Sequence, residues 1–156
     1  MTEEKLILDA CCGGRMFWFN KNNPLAVYVD IREEEHVLCD GRAFNVSPDM
    51  KMDFRKLEFP DESFKLVVFD PPHLLKVGKN SWTCKKYGKL NSDWENDLKS
   101  GFTECMRVLK RHGILIFKWS CRDIPVSKII ACFGYEPLFG HKTTAQSVWL
   151  TFMKVY

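Results

Sequence analysis

The sequence predicts an α/β protein built on a mostly parallel sheet. In it, short apolar runs alternate with helical periodicity. Three of those runs end in an aspartate that leads into a turn or loop, which is where open α/β sheets build their sites. The chain has 156 residues, of which 46% are apolar and 13% aromatic. That suits one globular domain over residues 1–156 and argues against disorder.

The first strand, residues 5–8, ends at Asp9 and meets Gly13-Gly14. A short helix is expected over 16–20, closed by Asn22-Asn23-Pro24. The second strand, 26–29, ends at Asp30. Residues 32–52 give no clear element, and Pro48 breaks any long helix there. Asp61 to Phe64 reads as a turn into a third strand, 65–69, which ends at Asp70-Pro71-Pro72-His73. In 93–111 the residues Trp94, Leu98, Phe102, Cys105, Met106 and Leu109 recur at helical spacing. Ser92 is the expected cap of this helix, Glu95 its capping-box partner, and His112-Gly113 its stop. A strand over 113–119, a helix over 125–133 stopped by Gly134, and a last strand over 147–155 complete the chain.

Lys plus Arg number 23 and Asp plus Glu 20, a balance of +3 that excludes a histone-like polycation but not a local basic patch. Residues 73–92 hold such a patch: Lys76, Lys79, Lys85, Lys86 and Lys89, with Trp82 and Tyr87 among them and no acid before Asp93. An aperiodic stretch of this length inside a domain is either a functional loop or a solvated one. The seven cysteines contain no C-x-x-C pair, which disfavours a zinc site or a disulfide framework. Reduced thiols and a cytoplasmic location are expected. The acidic start is no signal peptide, and the apolar runs are too short to cross a membrane.

Four features carry chemistry. The glycine turn after Asp9 either admits a ligand to the backbone or simply makes a tight strand-to-helix turn. It is neither a dinucleotide fingerprint nor a phosphate loop with its lysine. Asp30, 17 residues past Gly13, can accept both hydroxyls of a ribose. Asp53 can accept from an exocyclic amine, and Phe54 can pack on a purine. In Asp70-Pro71-Pro72-His73 the prolines remove two backbone donors, leaving carbonyls beside a carboxylate. That is an acceptor-rich pocket suited to an amino group. His73 is open between substrate contact and a structural hydrogen bond, and His36, His112 and His141 read as surface residues. Lys118-Trp119-Ser120 ends a strand near the cleft, with Trp119 read as core.

The order and spacing of these features, from Lys5 to Val155, resemble class I S-adenosylmethionine-dependent methyltransferases. The DPPH run is similar to the D/N/S-P-P-aromatic motif of amino-methyltransferases acting on adenine or cytosine, above all to small phage and prophage methyltransferases. The resemblance implies a Rossmann-like, seven-stranded α/β sheet, mostly parallel with a final antiparallel strand and minimal helices, with S-adenosylmethionine as cofactor and no metal. Asp9, Cys11 and Gly13 would then lie along the methionine part, Asp30 and Ile31 at the ribose, and Asp53 and Phe54 at the adenine. Asp70, Pro71, Pro72 and His73 would hold the substrate amine. Lys76, Trp82, Lys85, Lys86 and Tyr87 would contact a nucleic-acid substrate. Arg15 departs from the family where a second glycine is common, and His73 replaces the usual aromatic residue. A small-molecule or protein substrate, and a phage accessory protein without turnover, are the alternatives.

Overall fold

The computed structural model describes residues 3–143 and 146–156. In chain order the elements are β1 (Ile7–Asp9), β2 (Ala26–Asp30), β3 (Glu34–Val37), β4 (Ala43–Val46), β5 (Met50–Lys51) and β6 (Phe64–Phe69). These are followed by α1 (Trp82–Tyr87), α2 (Trp94–Val108), β7 (Leu109–Ser120), α3 (Val126–Phe133), β8 (Phe139–Lys142) and β9 (Ser147–Met153). Seven strands form one sheet in the order β5-β2-β1-β6-β7-β9-β8, and β3 and β4 pair as a separate antiparallel hairpin. β9 runs antiparallel to both its neighbours, and the other pairings in the sheet are parallel. The expected sheet, with an antiparallel last strand, is the one observed.

The strand order reverses at β1, which pairs with β2 on one side and β6 on the other. Asp9 lies level with Tyr28 of β2 and Val68 of β6, so Asp9, Asp30 and Asp70 leave the sheet at the same edge. A crevice at the carboxyl ends of strands, at such a reversal, is where sheets of this kind bind ligands.

Alternation along β7 and β9 builds the core. Leu115, Phe117 and Trp119, with Val148, Leu150 and Phe152, are buried on one face. α2 covers them with Leu98, Phe102 and Cys105, and α3 with Ile129 and Phe133; the Phe102 and Phe133 rings stack at 4.2 Å. Among the described residues no helix is long and apolar enough to cross a membrane.

Several expected boundaries move. Residues 16–20 form turns, not a helix. Arg15 adopts a left-handed φ of 54°, and its guanidinium donates to the carbonyls of Lys21 (2.6 Å) and Ser47 (2.8 Å) while lying 3.8 Å over the Tyr28 ring. These contacts staple the turn and leave no room for a helical repeat. α2 ends at Val108, and β7 begins at Leu109, which pairs with Phe64. Strand pairing therefore ends the helix three residues before the expected 111, and the expected stop His112-Gly113 lies within β7. Asp93 is the N-cap in place of Ser92, and its carboxylate accepts from the Asn96 side chain, so no capping box forms. The unassigned stretch 32–52 holds the β3–β4 hairpin and β5, and the basic segment 73–92 contains α1.

Candidate active site

The glycine turn and the end of β2 are tied together by Asp30, which is 1% exposed. Its Oδ2 accepts from the Gly13 N–H at 2.9 Å, and its Oδ1 from the Arg32 N–H at 2.9 Å. Each oxygen keeps acceptor capacity, enough for the two hydroxyls of a ribose. Gly13 has φ 49°, and a Cβ there would meet no atom closer than Arg32 Nη2 at 3.9 Å, so the turn presents open backbone to the cleft. Gly14 is required for a different reason: the Phe44 ring of β4 packs against it where a Cβ would come within 2.6 Å.

A cleft of about 520 Å³, counted to its open mouth, lies above this turn. Cys11, Gly13, Asp30 and Arg32 line one end, and Asp70, Pro71, His73, Tyr87, Lys86 and Lys118 the other. A second recess of about 600 Å³ continues beyond it, and the two share Asp70, His73, Tyr87 and Lys118 as their common wall. Asp70 follows Phe69, which is fully buried, and is half-buried itself. Burial pushes its carboxyl up to about 6, against the opposing pull of Lys118 at 3.7 Å. His73 is pushed down to about 4 by burial and by the Lys118 charge, so its ring is neutral near pH 7. It lies 5.6 Å from the Tyr87 ring and 6.1 Å from Trp119. Cys11 touches the Asp30 carboxylate through its thiol at 3.8 Å. Burial and the neighbouring Asp30, Asp70 and Asp9 hold that thiol protonated, and so poorly nucleophilic.

Asp9 is fully buried and does not line the cleft. Its Oδ2 accepts from Trp18 Nε1 at 2.7 Å, and burial pushes its carboxyl up to about 7. The folded state therefore holds this proton more tightly than the unfolded chain does. That contribution to stability is fully present below about pH 4 and is lost as the pH rises through 7. Asp9→Asn keeps an acceptor for Trp18 and removes the buried charge. At pH 8 it is expected to be more stable than the parent by about 2–4 kcal/mol, with the gap closing by pH 4. Urea midpoints at the two pH values measure this, and a gap that does not change with pH contradicts it.

Other expected site residues fall elsewhere. Asp53 is held by Arg55 at 2.6 Å, and Arg55 in turn pairs with Asp97. Phe54 packs edge-on against Phe69 at 5.2 Å. Neither lines the cleft, because both are consumed in anchoring the end of β5 to α2. Ile31 is 53% exposed and is not part of the cleft lining. Pro72 packs under Gly88. In the basic segment Lys86 and Tyr87 reach the cleft, whereas Lys76, Trp82 and Lys85 do not. Arg32, which sequence reasoning missed, bridges the site to this segment: its Nε is 3.5 Å from Asp30, and its Nη1 donates to the Lys85 carbonyl at 2.7 Å. Lys118, expected at the end of a strand near the cleft, lines both recesses.

The seven-stranded sheet, parallel except around β9, has the Rossmann-like fold of class I methyltransferases. Among solved structures, the chain is similar to an S-adenosylmethionine-dependent methyltransferase of Methanosarcina mazei, with 11% identity, a TM-score of 0.57, and coverage of 99% of this chain and 94% of that one. It is equally similar to one of Aquifex aeolicus, at 15% identity and a TM-score of 0.57, covering 99% and 84%. The cyclase SpnF matches at 12% identity and a TM-score of 0.57, covering 99% and 76%. The last comparison separates fold from chemistry, since one sheet architecture serves different reactions. No protein-family model and no curated protein matches the sequence.

Proposed function

We propose that the chain is an S-adenosylmethionine-dependent methyltransferase that acts on the exocyclic amino group of a nucleic-acid base, adenine or cytosine. One observation carries this reading: Asp70, at the end of β6, lies in the wall shared by two adjoining recesses. A group placed there faces a cofactor on one side and a substrate on the other. The cofactor side suits S-adenosylmethionine, because Asp30 has acceptor capacity for a ribose, the Gly13 backbone is open, and Cys11 stays a thiol. When bound, the cofactor supplies an electrophilic methyl on a sulfonium that departs as a neutral thioether.

The residues of the chain then have simple tasks. Asp70 and the Pro71 carbonyl accept the two amine hydrogens and direct the nitrogen lone pair across the wall. Holding that geometry supplies roughly 7–11 kcal/mol of the barrier. As nitrogen gains positive charge, the Asp70 carboxylate stabilises it and takes the released proton on its way to water. His73, being neutral, adds a ring surface without opposing that charge.

α1 carries Lys85 and Lys86 in its last turn, and Lys86 Nζ lies 5.2 Å from both the Trp82 and Tyr87 rings. These residues suit the backbone of a nucleic acid. Binding to duplex DNA should then weaken with salt, with a slope near −0.9 per phosphate neutralised. Replacing Lys85 and Lys86 by Ala is expected to lower the slope by up to about two. Titrations at three salt concentrations measure it, and an affinity independent of salt points to a substrate that is not a nucleic acid. Transfer of a labelled methyl group from S-adenosylmethionine to DNA or RNA tests the reaction itself.

A further inference from the structure

The second recess carries more charge than an amine-binding wall requires. Past Asp70 it is walled by the rings of His73 and Tyr87, and it presents Lys118, Arg122, Thr83 and Ser120. Two cations thus face one carboxylate. Arg122 is exposed and has no carboxylate within ion-pair distance among the described residues. Its neighbour Asp123 accepts from the Leu75 N–H at 2.7 Å and the Lys76 N–H at 3.2 Å, and does not line the recess, although its charge is felt by Arg122 and His73. Lys118 stands 3.7 Å from Asp70, an ion pair looser than a direct hydrogen bond.

That ion pair creates a conflict. An amine approaching Asp70 competes with Lys118 for the same carboxylate. An anion in the recess resolves it by giving Lys118 a second counter-charge beside Arg122. We infer that the second recess binds the phosphate of a nucleotide whose base amine lies against Asp70, with Arg122 and Lys118 as the anion-binding pair. The amine half of this inference rests on the amino-methyltransferase reading, and the anion half on the recess alone. A phosphate monoester matches the two cations in charge, and its terminal oxygens can also accept from the Thr83 and Ser120 hydroxyls. The rings of His73 and Tyr87, 5.6 Å apart, give the base an apolar wall. The phosphate belongs either to a free nucleotide or to a nucleotide within a strand.

Calorimetry in the presence of the demethylated cofactor S-adenosylhomocysteine tests this without turnover. The probes are adenosine and cytidine, their 5′-monophosphates, and a short single-stranded oligonucleotide. At least one monophosphate is expected to bind about 10–100-fold more tightly than its nucleoside, the range for charge-assisted hydrogen bonds. Arg122→Gln should bring that ratio close to one, and Arg122→Lys should restore part of it. Arg42→Gln, an equal charge change at the exposed end of the β3–β4 hairpin, should leave the ratio unchanged. If the oligonucleotide also loses affinity in Arg122→Gln, the site takes a strand phosphate; if only the monophosphate does, it takes a free nucleotide. Equal affinity for nucleotide and nucleoside, a ratio that survives Arg122→Gln, or no binding of any probe overturns the inference. Failure of the methyltransferase reading looks different: phosphate-dependent binding persists, but no methyl group is transferred.

Discussion

Asp70→Ala is expected to cut single-turnover methyl transfer by roughly 10²–10³-fold while leaving cofactor affinity nearly intact, the loss typical of one preorganised electrostatic contact. β6 delivers this carboxylate rigidly: Val67 and Phe69 are fully buried, Pro71 is buried, and the two prolines stiffen the turn. Its effect falls on the transition state because the amine nitrogen becomes positive only as the methyl arrives. Asp70→Asn should be milder, since an amide oxygen still accepts from the amine. The wild-type rate should also rise with pH through about 6, where the carboxyl loses its proton, and level off above. Asp70→Asn should lack that rise. Quenched-flow transfer beside calorimetric cofactor affinity measures both effects. A variant with near wild-type turnover reduces Asp70 to a turn residue.

Asp30→Ala is expected to weaken S-adenosylmethionine binding by about 2–5 kcal/mol, the scale for removing one partner of a buried charged hydrogen bond. Asp30 holds both the Gly13 N–H and the Arg32 N–H at 2.9 Å. Its loss therefore frees the glycine turn and strips the ribose of its acceptor together. Calorimetry on variant protein with an unchanged circular dichroism spectrum measures the effect. Unchanged affinity would move the ribose away from the end of β2, and a preference for a nicotinamide dinucleotide would overturn the cofactor assignment.

The sheet edge was legible because buried parallel strands read as apolar runs and the chain marks their ends with aspartates. Asp9, Asp30 and Asp70 could be aligned without coordinates for that reason. The β3–β4 hairpin was not legible: its strands, EEHV and AFNV, alternate exposed and covered residues on a two-stranded ribbon too short to show periodicity. The turn at 16–20 was misread because its order comes from distant partners, the Ser47 carbonyl and the Tyr28 ring holding Arg15. Asp53 and Phe54 sat at the right place in the chain, but Arg55 and Phe69 take up their side chains. Arg32 escaped notice because a lone cation in sequence carries no sign of the carboxylate it will meet, and for the same reason Lys118, expected near the cleft, could not be matched to Asp70.

The most direct measurement of the central claim is single-turnover transfer of a methyl label from S-adenosylmethionine to nucleotides, DNA and RNA, with the methylated atom located by mass spectrometry. Wild-type protein is expected to place the label on an exocyclic nitrogen of adenine or cytosine, and Asp70→Ala to do so at least a hundredfold more slowly, about the lower end of the expected loss. Label that never leaves the cofactor, or that reaches the base equally fast without the Asp70 carboxylate, would contradict the account.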